Sequence, residues 1–249
     1  MKSFGTLDIL ERERQWEFNP ERVVVYVQGE VGFIPWITGR ALSMQQRPCA
    51  ELLSRYMSVE AFNRLPTPVK PGWSITQATE DTAILNITHW FPVTPMPDHN
   101  HSLWFHTYPV MRDVVLWLRE NGCEEMLFLA AINSQDQEDM SGEGIAVIDV
   151  NLDTSVGGAI PLIMPAWFMP YLFVKEGGLA RVIAAKQDEG LYLDDEALAR
   201  MVTTVGAFDY EVDLKALTDM VSLVMKMQGD IEAIEGTFNG KDFDVGEWA

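Results

Sequence analysis

All four histidines of this chain lie in one short segment, from His89 to His106, with the sequence HWFPVTPMPDHNHSLWFH. His99 and His101 would point to the same side of an extended backbone, because side chains alternate along a strand. His106 and Asp98 are close to them in sequence. Imidazole and carboxylate groups at such spacings could form a zinc-type ligand set or a catalytic site.

The surrounding sequence favours a different interpretation of these histidines. A structural zinc site usually takes ligands from two elements at tight spacings, and both cysteines lie far from this segment. Prolines and aromatic residues suit a loop that packs on a neighbouring subunit. The segment contains Pro92, Pro95, Pro97, Trp90, Phe91, Trp104 and Phe105, and Tyr108 follows it. We therefore predict that His89, His99, His101 and His106 line a pocket or an interface, with metal binding or catalysis as the alternative.

A second segment with chemical potential is the glycine turn that follows the first predicted strand. Gly29 and Gly32 flank Glu30 and Val31 just before a predicted helix, where exposed amide groups could bind an anion. The turn lacks the Lys-Ser/Thr ending of a P-loop and the third glycine of a dinucleotide site, and Glu30 would repel phosphate. A tight strand-to-helix turn is the preferred interpretation. No G-x-S-x-G nucleophile motif occurs in the chain.

A third segment is strongly apolar, from Met164 to Phe173. Trp167 and Phe168 belong to a run of large side chains too dense for one helix face to bury. Other parts of the fold or another subunit must cover the rest, and the pattern does not decide between them. No metal ligand set or cofactor motif stands out elsewhere, so we predict no cofactor.

Strands and helices alternate along the chain and predict a single α/β domain with a mainly parallel sheet. Predicted strands cover 23–28, 52–59, 74–79, 82–89, the EEMLFLAAIN segment, 144–150 and 179–186. Predicted helices cover 35–45, the segment around Val110 that ends near Gly122, an apolar stretch 162–175 kinked at Pro165 and Pro170, the DDEALARMVTTVG segment and 212–227. Asp194 or Asp195 is the expected N-cap of the fourth of these helices, and Gly206 its end.

Composition limits the classes of partner. A formal net charge of −19 argues against nucleic acid, because binding to phosphates draws on Lys and Arg. No apolar run of 18 or more residues could span a membrane, and the first residues do not resemble a signal peptide. We therefore expect a cytoplasmic protein in which Cys49 and Cys123 are buried thiols rather than a disulfide.

Several segments together resemble the archaeal and bacterial proteasome assembly chaperone family, whose members have been described loosely as ATP-grasp-related. They are VVVYVQGEVG, TAILNITHW, VMRDVVLWLRENGCEEMLFLAAI, GGAIPLIMPAWFMPYLFVKEGG and LARVIAAKQDEGLYLDDEALARMVTTVGAFDYEVDLKAL. The resemblance extends from Val23 to Met227. Its most specific part is DDEALARMV followed by YEVDLKAL at the start of the last helix.

The resemblance implies a three-layer α/β/α fold similar to the phosphorylase/hydrolase-like fold, used as a scaffold rather than as an enzyme. The resemblance also implies homo-oligomers or heterodimers that guide assembly of the proteasome α-ring, with α-subunits as partners. Family members that dock on proteasomes often end in a hydrophobic residue, a tyrosine and any last residue, whereas this chain ends in Glu247, Trp248 and Ala249. The aromatic side chain and the terminal carboxylate are the groups that docking needs. A frayed end without a partner is the alternative.

The sequence thus predicts a non-enzymatic, self-associating scaffold that binds proteasome subunits. The alternative is an enzyme that binds a small molecule or a metal in a phosphorylase-like pocket near His89 to His106. We expect residues 1–235 to form one domain and residues 236–249 to form an acidic C-terminal tail.

Overall fold

The computed structural model describes residues 2–11, 19–27, 33–43, 48–54, 73–87, 99–133, 144–152, 168–187 and 193–239, which contain nine strands and five helices. The strands are β1 (Lys2–Phe4), β2 (Leu7–Glu11), β3 (Arg22–Val27), β4 (Pro48–Ser54), β5 (Trp73–Gln77), β6 (Thr82–Ile87), β7 (Glu125–Asn133), β8 (Ile145–Val150) and β9 (Leu179–Gln187). The helices are α1 (Ile34–Ser43), α2 (His99–Glu120), α3 (Met169–Lys175), α4 (Asp195–Ala207) and α5 (Leu214–Asn239).

Within these ranges the nine strands form one mixed sheet, in the order β1-β2-β4-β5-β6-β3-β7-β9-β8. Only β6, β3, β7 and β9 are parallel neighbours, and the other pairs are antiparallel. The α/β class is confirmed, but the prediction of a mainly parallel sheet is wrong. Connections of two and four residues join β1 to β2 and β5 to β6, and a parallel crossover needs a dozen residues or more.

The central strand β3 is buried on both of its faces. Val23, Val25 and Val27 belong to a hydrophobic cluster with α2 and α3, whereas Val24 and Tyr26 belong to a second cluster with α1, α4 and α5. Because successive side chains of a strand point to opposite faces, helices cover both sides of the sheet. This arrangement explains why the segment reads as a continuous apolar run.

Helix α2 begins eleven residues before Val110 and includes His99, His101 and His106. The zinc-type arrangement assumed an extended backbone, and this assumption is wrong for these residues, because they are helical. Pro109 lies inside α2, although proline is usually a sign of a helix boundary. The predicted end is confirmed, because Gly122 follows α2 with a φ of 87°.

Two other predicted helices differ in detail. Pro170 lies in the first turn of α3, where the backbone nitrogen has no hydrogen-bond partner within the helix, so proline does not kink the helix there. Pro165 lies outside the described residues.

Asp194 is the N-cap of α4 and accepts a hydrogen bond from the Ala197 backbone N–H at 3.0 Å. Helix α4 ends at Ala207, one residue past the predicted end at Gly206, and the chain turns at Asp209, which has a φ of 60°. Aspartate tolerates this left-handed conformation better than most residues.

Strand and helix ends also differ from prediction at β4 and α5. Strand β4 begins at Pro48 and ends at Ser54, while residues 55–59 of the predicted strand lie outside the described residues. Helix α5 continues to Asn239, twelve residues past its predicted end at Met227. The predicted boundary between domain and tail at residue 235 therefore falls inside this helix, and residues 240–249 lie outside the described part.

Both cysteines are thiols in the structure. Cys123 is buried as predicted, and burial raises the pKa of its thiol to about 12. Cys49 is only half-buried, and its Sγ accepts a hydrogen bond from the Gln77 backbone N–H at 3.4 Å. Among the described helices, none is long and apolar enough to cross a membrane.

The packing of α1 on the sheet predicts the effect of a single methyl group. A Cβ added at Gly39 would overlap the ring of Tyr26, which is fully buried, so Gly39→Ala should lower the free energy of unfolding by about 1–3 kcal/mol. The matched control is Gly229→Ala in α5, where the new methyl group meets no atom within 4 Å. That variant should be neutral or gain up to about 1 kcal/mol. Urea unfolding measures both, and equal effects would contradict the tight contact.

Candidate functional site

The residues that the sequence singles out are only partly within the described structure. Gly29, Gly32, His89 and Trp167, together with the terminal residues 247–249, lie outside it. His99, His101 and His106 lie in the first two turns of α2, and only their backbone is described. The pocket or interface predicted for these residues therefore stays a prediction.

The structure does bring two of the predicted aromatic segments together. Phe168, just before α3, lies 6.1 Å from the ring of Tyr108 on α2 and 5.1 Å from the ring of Tyr171, measured between ring centroids. All three rings are half-buried. Met169 and Phe173 are fully buried by the fold itself. Part of the apolar run is thus core, and Tyr108, Phe168 and Tyr171 form a partly exposed aromatic patch beside it.

Metal ligands do not cluster in the residues that the structure describes. No group of three or more His, Cys, Asp or Glu side chains is close enough there to hold an ion. The side chains of the four histidines are not among the residues searched, so the metal alternative at His89 to His106 is not tested.

A groove that the sequence does not predict lies at the amino ends of the parallel strands. The first residues of the four parallel strands form one row across the sheet: Thr82 of β6, Arg22 of β3, Glu125 of β7 and Leu179 of β9. Neighbouring residues in this row are register partners. The connection between α4 and α5, residues 208–213, crosses this edge. It encloses a cavity of about 720 Å³, here called the amino-end groove, lined by Arg22, Ala41, Leu42, Ala78, Thr79, Asp81, Thr82 and residues 209–215.

Asp81 of the amino-end groove accepts three hydrogen bonds from side chains. Its carboxylate accepts hydrogen bonds from the hydroxyls of Thr79 at 2.5 Å and Thr82 at 2.9 Å, and from the Arg22 guanidinium at 2.9 Å. These bonds lower the pKa of Asp81 to about 2, with the Thr79 hydroxyl as the largest cause. Asp81 is therefore ionised at neutral pH, with two hydrogen bonds on Oδ1 and one on Oδ2.

Two arginines of the parallel strands stack on aromatic rings of the 208–213 connection. The Arg22 guanidinium lies 5.0 Å from the ring centroid of Tyr210, and that of Arg181 lies 4.3 Å from the ring centroid of Phe208. Arg181 also forms an ion pair with Asp149 of β8 at 2.6 Å. A second cavity of about 290 Å³ adjoins the groove at Tyr210. Each arginine is thus held between a carboxylate and an aromatic ring.

The ends of the connection are fixed by the backbone and by a helix cap. Asp209 adopts a φ of 60° directly after α4. The Asp213 carboxylate accepts hydrogen bonds from the backbone N–H groups of Lys215 at 2.9 Å and Ala216 at 3.0 Å, which makes it the N-cap of α5. The segment YEVDLKAL, the most specific part of the family resemblance, is the sequence signal for this arrangement.

Two titratable groups of the groove have pKa values displaced from neutral pH. Burial raises the pKa of Tyr210 to about 12, so its phenol is neutral, while Asp81 is ionised throughout the physiological range. Neither group exchanges a proton near pH 7, as a general acid or base must.

The lowered pKa of Asp81 predicts a defined pH dependence. Its ordinary value is 3.8 and its value in the folded chain is about 2, so the folded state takes up this proton less readily than the unfolded state. The stabilisation is therefore present above about pH 4 and is lost as the pH falls towards 2. Asp81→Asn should cost at most about 1 kcal/mol at pH 7, because the carboxylate is 43% exposed.

Denaturant unfolding at pH 7, 4, 3 and 2 measures this difference between the variant and the unsubstituted protein, which should shrink across the window from pH 4 to 2. Glu80→Gln makes the same chemical change at the neighbouring exposed residue and should show no comparable difference. A difference for Asp81→Asn that is independent of pH would contradict the assigned network.

No protein-family model matches the sequence, and no curated protein matches it. Solved structures do match it in fold. PbaB of Pyrococcus furiosus, described as an archaeal proteasome activator, has a TM-score of 0.58 at 14% identity, over 92% of this chain and 99% of PbaB. PbaA of the same organism, an archaeal homolog of proteasome-assembly chaperone, has a TM-score of 0.56 at 12% identity, over 89% of this chain and 94% of PbaA.

A bacterial structure shows the same likeness. The proteasome-assembly chaperone homologue Rv2125 of Mycobacterium tuberculosis has a TM-score of 0.53 at 14% identity, over 85% of this chain and 94% of Rv2125. These likenesses extend over nearly the whole of each protein. The chain therefore has the fold of the proteasome-assembly chaperone homologues, as its sequence resemblance implies.

Proposed function

We propose that this protein is a non-enzymatic scaffold of the proteasome assembly chaperone type, which self-associates and binds proteasome subunits in the cytoplasm. The observation that carries the proposal is the fold shared with PbaB and PbaA over about nine-tenths of both chains. A fold can host more than one function, so the described side chains must support the proposal separately.

The electrostatic state of the amino-end groove supports a scaffold. Its central titratable groups, Asp81 and Tyr210, have pKa values displaced away from neutral pH, and Arg22 is held by both of them. Such a network joins strand ends to the α4–α5 connection and keeps the helices in place. A scaffold needs this rigidity, because a partner binds a preformed surface at a lower entropic cost.

The proposal assigns partner binding to two regions. The terminal residues Glu247, Trp248 and Ala249 would dock on a proteasome α-subunit, with the Trp248 ring in a pocket and the terminal carboxylate paired with a basic group. The aromatic patch of Tyr108, Phe168 and Tyr171 would contribute to self-association together with Trp167, because half-exposed aromatic rings are typical of interfaces. The three-layer, phosphorylase-like arrangement of the fold is part of the same proposal.

The docking role of the tail predicts the behaviour of shortened and substituted chains. Light scattering of mixtures with proteasome α-subunits should show a complex for the full chain and none for the chain lacking residues 246–249. Trp248→Ala should weaken binding about tenfold or more, since a buried aromatic anchor contributes a large share of the binding energy. Trp248→Tyr, which keeps an aromatic ring at this position, is the matched control and should retain the complex.

The outcomes separate the parts of the proposal. A complex that forms equally well without the last four residues would exclude docking by the tail but leave the partner in place. A stable oligomer that never binds α-subunits would overturn the assignment of the partner and direct attention to ligand binding near His99.

A further inference from the structure

Two leucines at the edge of the sheet where the parallel strands begin are largely exposed to solvent. Leu179, the first residue of β9, is 68% exposed, and Leu214, the first residue of α5, is 69% exposed. No other large apolar side chain of the described residues exceeds 56%. Single exposed leucines are common on protein surfaces and need no explanation. These two are not isolated, because both line one continuous depression.

The depression consists of the amino-end groove and the second cavity, which meet at Tyr210. Leu214 lines the amino-end groove, of about 720 Å³, and Leu179 lines the second cavity, of about 290 Å³. Tyr210 lines both, and Phe208 lines the second cavity. Both rings are half-buried. The two cavities together are here called the amino-end surface, and they combine two exposed leucines with two aromatic rings.

Carboxylates outnumber cationic groups on the amino-end surface. Six carboxylates line it, those of Asp81, Glu125, Asp149, Asp209, Glu211 and Asp213. The three cationic groups are Arg22, Arg181 and Lys215. Both arginines already form ion pairs, Arg22 with Asp81 and Arg181 with Asp149. An anionic ligand would therefore compete with carboxylates of the protein for these arginines.

The carboxylates that remain face solvent. Asp213 caps α5, whereas Glu125, Asp209 and Glu211 are exposed. Lys215 is exposed as well and offsets one of these negative charges. The amino-end surface thus places a net negative charge beside exposed apolar side chains. A ligand that carries both positive charge and apolar groups complements both features.

The span of the amino-end surface limits the length of its ligand. The surface includes the first residues of β6, β3, β7 and β9, which are neighbours in the sheet. Strands lie about 4.8 Å apart, so four of them cover about 14 Å. An extended chain rises about 3.3 Å per residue, so about five residues cover the same distance. Side chains of an extended chain alternate between two faces, which allows one face to be apolar and the other basic.

We propose that the amino-end surface binds a short extended segment of a partner protein, in which apolar side chains alternate with lysine or arginine. Charge complementarity identifies the partner, because the same carboxylates repel an acidic segment or a nucleic acid. Contacts with Leu179 and Leu214 supply apolar burial, and the basic side chains give specificity. This surface differs from the tail and from the aromatic patch of the proposed function, and the inference depends on neither.

Fluorescence anisotropy of synthetic peptides tests the chemistry of the ligand. The peptide Leu-Lys-Leu-Lys-Leu, with blocked ends and a neutral dye, should bind the full chain, and added salt should weaken the binding because it screens exposed charges. Leu-Glu-Leu-Glu-Leu keeps the apolar side chains and reverses the charge, so it should not bind. Ser-Lys-Ser-Lys-Ser keeps only the charge and should bind about tenfold more weakly or less well still.

Substitutions of the exposed leucines test the apolar part of the surface. Leu179→Ser with Leu214→Ser should weaken binding of the leucine-lysine peptide about tenfold or more, because both residues contribute apolar area. The matched control is Leu223→Ser with Met225→Ser, since these side chains are exposed on α5 but line neither cavity. The control should leave the affinity unchanged. Circular dichroism and thermal unfolding should show that both variants are folded.

A second pair of variants separates a local charge effect from the net charge of −19. Asp209→Asn with Glu211→Gln removes two charges from the amino-end surface and should weaken binding about three- to tenfold. Asparagine tolerates the positive φ of Asp209, so the connection keeps its conformation. Asp195→Asn with Glu196→Gln removes two charges at the opposite end of α4 and should leave the affinity unchanged.

Each control can overturn the inference. Equal weakening by the two charge variants would attribute binding to the overall acidity of the chain, and equal weakening by the two apolar variants would exclude the leucines. Binding of the glutamate peptide, or no binding of the lysine peptide, would overturn the assigned ligand. These mixtures contain no proteasome subunit. A chain that binds the peptide but never forms a complex with α-subunits would therefore overturn only the partner in the proposed function, and the reverse result would overturn only this inference.

Discussion

The structure depends on a single constraint, the burial of β3 on both of its faces. Its apolar side chains are at most 7% exposed, and they alternate between two separate hydrophobic clusters. Parallel neighbours on each side satisfy its backbone hydrogen bonds, so both faces remain available for packing. Each layer of helices is therefore built on the same six residues, and the fit of α1 requires the absence of a side chain at Gly39.

Contacts at the amino end of β3 connect this buried strand to the edge of the sheet where the parallel strands begin. Arg22, its first residue, binds Asp81 at the start of β6 and stacks on Tyr210. Arg181 of β9 makes the corresponding contacts with Asp149 and Phe208. The connection between α4 and α5 is thus attached to the sheet at two points, and the Asp213 cap determines where α5 starts.

Local sequence patterns predict an element correctly where the residues of that element alone determine its structure. The buried strands, the Asp194 cap and the glycine after α2 were predicted from apolar runs, capping residues and turn residues. Predictions failed where a tertiary contact overrides the local signal. Helix α2 contains Pro109, because packing of its apolar face stabilises the helix by more than one unfavourable residue costs. The amino-end groove escaped prediction because its residues are far apart in the chain.

The α/β class, the buried central strand and the helical spacing of the last helix follow from the amino-acid sequence, because the periodicity of apolar residues is a local property. The resemblance to proteasome assembly chaperones is likewise present in the sequence segments themselves. The mixed sheet and the meeting of Arg22, Asp81 and Tyr210 are properties of the folded chain. Strand order and long-range pairs depend on which buried surfaces fit together, and that fit is a property of packing between distant segments rather than of any local pattern.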